Sequence, residues 1–237
     1  MKIALASAPV QNGDVAHNLT QMAKYISQAR EQGAELVCFG EAYLQGFHSL
    51  TWDFEADQNM ALSYRAALFH IIAGWTMDSG MDVLFGFMER DGDQIYSSCA
   101  LVSGGVLLQL YRRVSTGWKD CEKADGHYRE GTEAATFTYR GKRCQIALCG
   151  DLWDETAPQF QQDADLIFWP VYLDYSKEAW ENTARQEYAQ KAASFCDQVL
   201  MVNSIDGTAN GGACAFCNGT VQAELPMGTE GLLLVEV

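Results

Sequence analysis

The sequence predicts a layered fold in which α-helices and β-strands alternate along 237 residues. Three observations favour this fold class. Short apolar runs that suit buried strands are separated by amphipathic segments, several strand pairs are joined by glycine turns, and no repeat, low-complexity tract or linker interrupts the chain. A chain of this length can bury the core of one domain, so we expect residues 1–237 to form a single domain.

The first half of the chain begins with a predicted strand at 2–9 and a helix at 15–32. Leu19, Met22 and Ile26 form an apolar stripe along that helix, and Gly33 follows it as a C-terminal cap. The other elements predicted in this half are a strand at 35–39, a helix at 56–77, and strands at 83–88, 95–102 and 106–111.

The second half begins with a predicted hairpin around Arg140-Gly141-Lys142. Glycines also mark turns between the last strands of the chain. The elements predicted here are strands at 137–139 and 144–149, helices near 156–162 and at 178–196, and strands at 199–205, 213–222 and 231–237.

Composition excludes several classes of partner. Sixteen Lys and Arg stand against 31 Asp and Glu, for a formal net charge of −15. No basic cluster is longer than Arg112-Arg113, so we expect neither nucleic-acid nor anionic-membrane binding. No apolar run reaches the roughly 18 residues of a membrane span.

The eight cysteines mostly lie in apolar runs, and the first residues read directly into a strand rather than a signal peptide. We therefore expect a cytoplasmic protein with free thiols. Cys214-Ala215-Phe216-Cys217 is a lone pair without further ligands nearby, so we expect neither a zinc site nor a disulfide oxidoreductase.

Three predicted strands end in side chains that could do chemistry. Cys149 closes one apolar run, Glu41 follows another, and Arg112-Arg113 follow a third. At a strand end, a thiolate nucleophile could share a cleft with backbone N–H groups, and a partly buried carboxylate could act as a general base. Each also has an ordinary interpretation: a core cysteine, a solvated loop glutamate and a surface strand end.

The order of these residues, with the motifs around them, resembles the nitrilase superfamily of carbon–nitrogen hydrolases. Members of that family carry a Glu–Lys–Cys triad on loops after strands. The resemblance extends over nearly the whole chain and is carried by several segments: 2–10, Gly13-Asp14, Asn18-Leu19, Gly40-Glu41, Gly46-Phe47, Cys149-Gly150-Asp151 with Glu155, 166–170, the helix residues Trp180, Arg185, Ala189 and Ala193, and 199–204.

The resemblance implies an α+β fold, a four-layer α-β-β-α sandwich of two mixed, six-stranded-type sheets with outer helices. It implies a homodimer or larger homo-oligomer and requires no metal or organic cofactor. It also implies hydrolysis of a non-peptide C–N bond, with Cys149 as nucleophile, Glu41 as general base and a thioester intermediate. We expect a small amide as substrate, in preference to a nitrile or an N-carbamoyl compound.

The chain departs from the family at the triad lysine. In Tyr111-Arg112-Arg113 the matching residue is Arg113, which keeps its proton and can stabilise an oxyanion but is a poor proton donor. Register favours Arg113 in this role, and Arg113→Lys is expected to keep much activity. Lys119, carried back by its loop, is the alternative. Candidates for the family's second glutamate are Glu122, Asp125 and Glu130.

Two questions stay open from the sequence. Aromatic side chains near the strand ends could line the substrate pocket or simply pack; the substrate-binding candidates are Tyr43, Trp153 and Tyr172, with Phe47 and Trp118 also near strand ends. Because of Arg113, a catalytically degenerate binding or assembly protein on the same fold is the alternative to an enzyme. Reactivity of the Cys149 thiol would separate the two.

Overall fold

Twelve strands form two six-stranded sheets in the computed structural model, which describes residues 1–154 and 164–237. Both sheets are mixed, with parallel strands at the centre and antiparallel strands at the edges. The strands are β1 Lys2–Ser7, β2 Leu36–Cys38, β3 Asp82–Asp91, β4 Gln94–Ser103, β5 Val106–Arg112, β6 Phe137–Tyr139, β7 Lys142–Ile146, β8 Leu166–Val171, β9 Gln198–Asn203, β10 Ala213–Cys217, β11 Thr220–Leu225 and β12 Gly231–Glu236.

The strand directions bring the carboxyl ends of β2 and β5, which precede Glu41 and Arg113, to the same edge of the first sheet. The first sheet has the order β12-β1-β2-β3-β4-β5 and the second β11-β10-β9-β8-β7-β6. In the first sheet, β1, β2 and β3 are parallel, and in the second, β7, β8 and β9 are parallel. The carboxyl ends of parallel strands open at one edge of a sheet, where loops can build a site.

Helices cover the outer faces of both sheets. The first two long helices pack on the first sheet, and the last helical segment packs on the second. The helices are α1 Val15–Glu31, α2 Phe54–Asp57, α3 Ala67–Ser79, α4 Lys177–Ala179 and α5 Arg185–Ala193, with a π-helical turn at Trp180–Ala184 between the last two and a 3-10 turn at Cys149–Leu152.

Alternation along β1 shows how the layers are built. Ile3 and Leu5 belong to the core cluster that includes the second sheet, whereas Ala4 and Ala6 belong to the cluster that includes α1 and α3. Successive side chains of a strand point to opposite faces, so each central strand packs on both sides. The four-layer α-β-β-α arrangement expected from the resemblance is confirmed.

Several predicted elements differ from the structure. The strand predicted over 144–149 is β7 Lys142–Ile146, and Cys149 lies in the 3-10 turn that follows it. The helix predicted over 56–77 is divided into α2 and α3, because Leu62 forms a bridge to Glu89 and exchanges backbone hydrogen bonds with Met88 and Arg90 beside β3. The strand predicted over 213–222 is a hairpin that turns at Asn218-Gly219. The helix predicted near 156–162 lies outside the described residues. Within the described residues, no helix is long and apolar enough to cross a bilayer.

Candidate active site

Glu41 lies where the loop after β2 bridges the two sheets. Its backbone N–H donates to Val171 O at the end of β8 (3.2 Å), while the neighbouring Gly40 carbonyl accepts from Gly86 N in β3 (3.2 Å). Its side chain is buried, and the next residue, Ala42, has a positive φ of 50°. Such strained backbone persists where surrounding contacts hold it, often at functional sites.

The two oxygens of the Glu41 carboxylate have different surroundings. Oε1 accepts from Arg113 Nη1 and from Ser97 Oγ, each at 2.9 Å. Oε2 is buried and has no hydrogen-bond partner among the described residues. A buried acceptor without a partner is uncommon and calls for an explanation in terms of function. Oε2 is therefore the oxygen free to accept a proton from a reacting group.

Arg113 is held in place by pairing with β4 beyond the end of β5. Its backbone N–H donates to Ser97 O (2.8 Å) and its Nε donates to Ser115 Oγ (2.8 Å). The guanidinium is buried against Glu41, as the sequence register predicts for the triad cation. Burial lowers the pKa of Arg113, but the negative charges of Glu41, Asp151 and, once it ionises, Cys149 outweigh burial and raise the pKa overall.

Cys149 begins the 3-10 turn that follows β7 and has a positive φ of 39°. Trp169 Nε1 donates to the Cys149 carbonyl (2.9 Å), and the thiol donates to Tyr172 O (3.5 Å). Burial raises the pKa of the Cys149 thiol to about 12, with Glu41 adding to the rise and Arg113 opposing it. The thiol thus holds its proton at neutral pH, and attack requires a base.

Asp151 ties the nucleophile turn to the loop after β5. One carboxylate oxygen accepts from the N–H groups of Val114 (3.1 Å) and Ser115 (2.9 Å). The other accepts from Tyr111 OH (2.6 Å) and from Leu148 N (2.8 Å). A carboxylate with several donors is a firm anchor, so Asp151 holds the cysteine turn and the arginine loop in register.

The alternative cation, Lys119, has other partners. Its Nζ pairs with Glu130 (2.6 Å) and donates to Tyr128 O (3.2 Å). Of the other acidic candidates, Asp125 binds its neighbour His127 and Glu122 is exposed. Glu41 receives hydrogen bonds from Ser97 and Arg113, and none from these acidic candidates or Lys119 among the described residues.

The aromatic candidates lie in three different surroundings. Tyr43 is buried on the outer side of the first sheet, where it packs on Phe39 and its hydroxyl donates to Pro9 O (3.1 Å). Trp153 is 40% exposed and contacts Tyr188. Tyr172 supplies the carbonyl beside the Cys149 sulfur.

Tyr172 lies beside the Cys149 thiol and packs against Phe47. Its ring stacks on Phe47 with centroids 4.3 Å apart, and its hydroxyl donates to Asp206 (3.0 Å). Of the substrate-binding candidates, Tyr172 is thus the one whose own atoms contact the thiol. Trp118 is buried in a separate cluster with Trp52 and Tyr128.

Sequence reasoning missed several residues that support these groups. Ser97 contacts Glu41 from within β4, and Ser115 contacts Arg113 from the loop after β5. Tyr188, on α5, stacks on Trp169 behind the cysteine turn. Its spacing of four and eight residues from Ala184 and Trp180 is the signal that could have placed it on the buried helix face. Among the described residues, no cluster of His, Cys, Asp and Glu could hold a metal ion.

Comparisons with known proteins give a matching family model and several relatives. The family model described as Carbon-nitrogen hydrolase matches residues 2–237. The chain is 26% identical over 207 residues to an arylacetone-specific nitrilase of Alcaligenes faecalis, covering 80% of this chain and 56% of that protein. It is 24% identical over 161 residues to the glutamine-dependent NAD(+) synthetase of Thermotoga maritima, covering 67% of this chain and 27% of that protein. The chain therefore spans about half the length of the nitrilase and about a quarter of the length of the synthetase.

A solved structure shares the fold over the whole chain. A variant of the amidase from Nesterenkonia sp. AN1, with acrylamide joined to its active-site cysteine by Michael addition, superposes with a TM-score of 0.80. The two chains are 19% identical, and the match covers 100% of this chain and 93% of the amidase.

Proposed function

Because this chain belongs to the carbon–nitrogen hydrolase family, we propose that it hydrolyses the C–N bond of a small amide through a cysteine thioester. One observation carries the proposal: Glu41 Oε1 is held by Arg113 and Ser97 while Oε2 is buried without a partner. That leaves one oriented proton acceptor beside a thiol that holds its proton at neutral pH.

In the proposed reaction, Glu41 takes the thiol proton as Cys149 Sγ attacks the carbonyl carbon. The C–S bond forms and the carbonyl electrons move to oxygen, where Arg113 and the Gly150 N–H stabilise the charge. The N–H of the next residue, Asp151, donates to Leu148 O instead (2.9 Å). The C–N bond then breaks, and Glu41 returns the proton to the leaving amine.

The thioester that remains is hydrolysed by water. Glu41 takes a proton from the water as its oxygen attacks the acyl carbon, and the proton goes to the departing Cys149 sulfur. The carboxylic acid leaves and the free thiol is restored. No proton passes through the arginine in either half of the cycle.

Arg113 favours an amide over a nitrile. Attack on an amide produces an oxyanion, which hydrogen bonds from a fixed cation can stabilise. Attack on a nitrile produces a nitrogen anion that is neutralised by a proton, which Glu41 can supply, so a fixed guanidinium that keeps its own proton contributes less to that step. The preference for an amide therefore follows from the residue that departs from the family pattern.

The test is ammonia release from a panel of small amides and their matched nitriles. We expect the wild type to act faster on an amide than on its nitrile, and Cys149→Ala to release no ammonia. Arg113→Met should lower the rate roughly 10²–10³-fold through lost oxyanion stabilisation.

Two controls complete this test. Lys119→Met should act like the wild type, because its ammonium pairs with Glu130. A fully active Cys149→Ala enzyme would exclude the thioester. An inactive Lys119→Met enzyme beside an active Arg113→Met enzyme would move the cationic role to Lys119.

A further inference from the structure

Arginine occupies the cation position because its neighbours leave space for a guanidinium and bind it on more than one side. We propose that Ser115 and Gly150 are positioning residues that make Arg113 competent in the reaction. The inference rests on the proposed function, since it assigns a support to the cation of that site.

Gly150 supplies the space. A β-carbon at position 150 would lie 2.6 Å from Arg113 Nη2 and 3.4 Å from Ser115 Oγ. Real β-carbons essentially never approach a heavy atom under 3.0 Å, and hydrogen bonds to Glu41 and Ser115 restrain the guanidinium from moving away. Gly117 also lies close, with a β-carbon position 3.2 Å from Nη2. The guanidinium thus fills a slot bounded by two glycines.

Ser115 supplies the orientation. Its hydroxyl accepts from Arg113 Nε while Nη1 donates to Glu41, so the planar guanidinium is fixed along two directions. The Ser115 N–H donates to Asp151, two residues beyond the nucleophile. The position of the positive charge is thereby set by the same carboxylate that anchors the cysteine turn.

This geometry changes what is expected of Arg113→Lys. A lysine has one side-chain nitrogen, so it cannot reproduce the two hydrogen bonds that Nε and Nη1 of Arg113 donate to Ser115 and Glu41. Lysine at this position should therefore lose much of the activity, in contrast to the expectation from family resemblance alone. It should also leave the slot beside Gly150 empty.

A double-mutant cycle on Arg113 and Gly150 tests whether Gly150 provides the space for the guanidinium. Gly150→Ala should lower both amide hydrolysis and alkylation of Cys149 by iodoacetamide on the order of 10–100-fold, corresponding to one lost charged hydrogen bond. In the Arg113→Lys background, adding Gly150→Ala should change either rate by less than about threefold, because no Nη2 is present to be displaced. Gly126→Ala, whose β-carbon would meet no atom within 4 Å, is the matched control.

Variants of Ser115 test the orientation. Ser115→Ala should lower the hydrolysis rate on the order of 10–100-fold. It should also shift the pH profile of Cys149 alkylation to higher pH, because the positive charge of Arg113 lowers the thiol pKa and a displaced guanidinium would lower it less. Ser115→Thr keeps the hydroxyl and should restore the profile. A loss of packing alone would not move the profile and would not be reversed by threonine.

The alkylation assay also separates this inference from the proposed function. Alkylation of Cys149, followed in a Cys121→Ser/Cys217→Ser background, needs no substrate. Suppose that no amide is hydrolysed, but the alkylation rates of the Arg113 and Gly150 variants and the pH shift of Ser115→Ala are as expected. The proposed function then fails and the positioning role stands. If Gly150→Ala is equally harmful beside lysine, or Ser115→Ala leaves the pH profile unchanged, the positioning role is overturned.

Discussion

Glu41 and Arg113 shift the pKa of the Cys149 thiol in opposite directions. Burial raises the thiol pKa most, the negative charge of Glu41 raises it further, and the positive charge of Arg113 lowers it. The free site therefore holds a neutral thiol beside a carboxylate with one open oxygen. A proton transfer at the moment of attack is the chemistry that this pair favours.

Replacing Glu41 by glutamine should separate ionisation from catalysis. Glu41→Gln removes the charge that disfavours the thiolate, so the thiol pKa should fall and alkylation should begin at lower pH. Hydrolysis should nevertheless fall roughly 10²–10⁴-fold, because the proton acceptor is lost. Thiolate ultraviolet absorbance against a matched Cys149→Ser protein measures the first effect, and ammonia release measures the second.

The exposed Glu122→Gln is the control for a change of one charge and should alter neither quantity. A thiol pKa that stays the same or rises in Glu41→Gln would show that Glu41 does not act on the sulfur as described.

Among the secondary-structure elements, β3 determines where the Glu41 loop lies. A β-carbon at Gly86 would fall 2.4 Å from Ala42 N and 2.7 Å from the α-carbon of Glu41. The loop thus rests directly on the backbone of β3, with Gly86 N donating to Gly40 O and Gly86 O accepting from Leu44 N. Any side chain at position 86 must push the loop away.

Gly86→Ala should therefore reduce stability and activity together. We expect the free energy of unfolding to fall by about 1–3 kcal/mol from overpacking and hydrolysis to fall with the displaced carboxylate. Gly74→Ala in α3 is the matched control, because its β-carbon would meet nothing within 4 Å. It should raise stability by about 0.5–1 kcal/mol in a helix interior. Urea unfolding gives both values, and an equal effect of the two substitutions would contradict this account of the loop.

At the scale of the whole molecule, polar contacts join the two sheets at Arg140, in the hairpin between β6 and β7. Its guanidinium donates to Asp82 at the start of β3 (2.9 Å) and pairs with Glu35 before β2. Tyr139 OH also donates to Asp82 (2.7 Å). Because the active-site groups come from both sheets, their relative position depends on such contacts.

Arg140→Met should lower the free energy of unfolding by about 1–3 kcal/mol, since Asp82 is buried and loses a charged partner. The partial exposure of Arg140 keeps the effect below that of a fully buried pair. The surface pair Lys177–Glu181 provides the comparison, and Lys177→Met should cost no more than about 0.5 kcal/mol. Equal losses in the two variants would show that the contact at Asp82 is an ordinary surface pair.

Most strands, the long helices and the strand ends near Glu41, Arg113 and Cys149 could be predicted from the sequence. These features are local, because apolar periodicity and glycine turns act over a few neighbouring residues. The prediction from local patterns was wrong at 56–77, because Leu62 bridges to β3 and interrupts the helical pattern. For the cation, register favoured Arg113 and left Lys119 as the alternative.

The surroundings of the catalytic candidates could not be predicted and depend on the folded chain. Ser97 and Arg113 reach Glu41 across 56 and 72 residues of chain, and the register of β4 against β5 decides that they do. The roles of the space at Gly150 and of the Ser115 hydroxyl can be inferred only once the fold shows the Arg113 guanidinium in contact with both. Contacts between distant residues depend on register and packing of whole sheets, and no local pattern in the sequence encodes them.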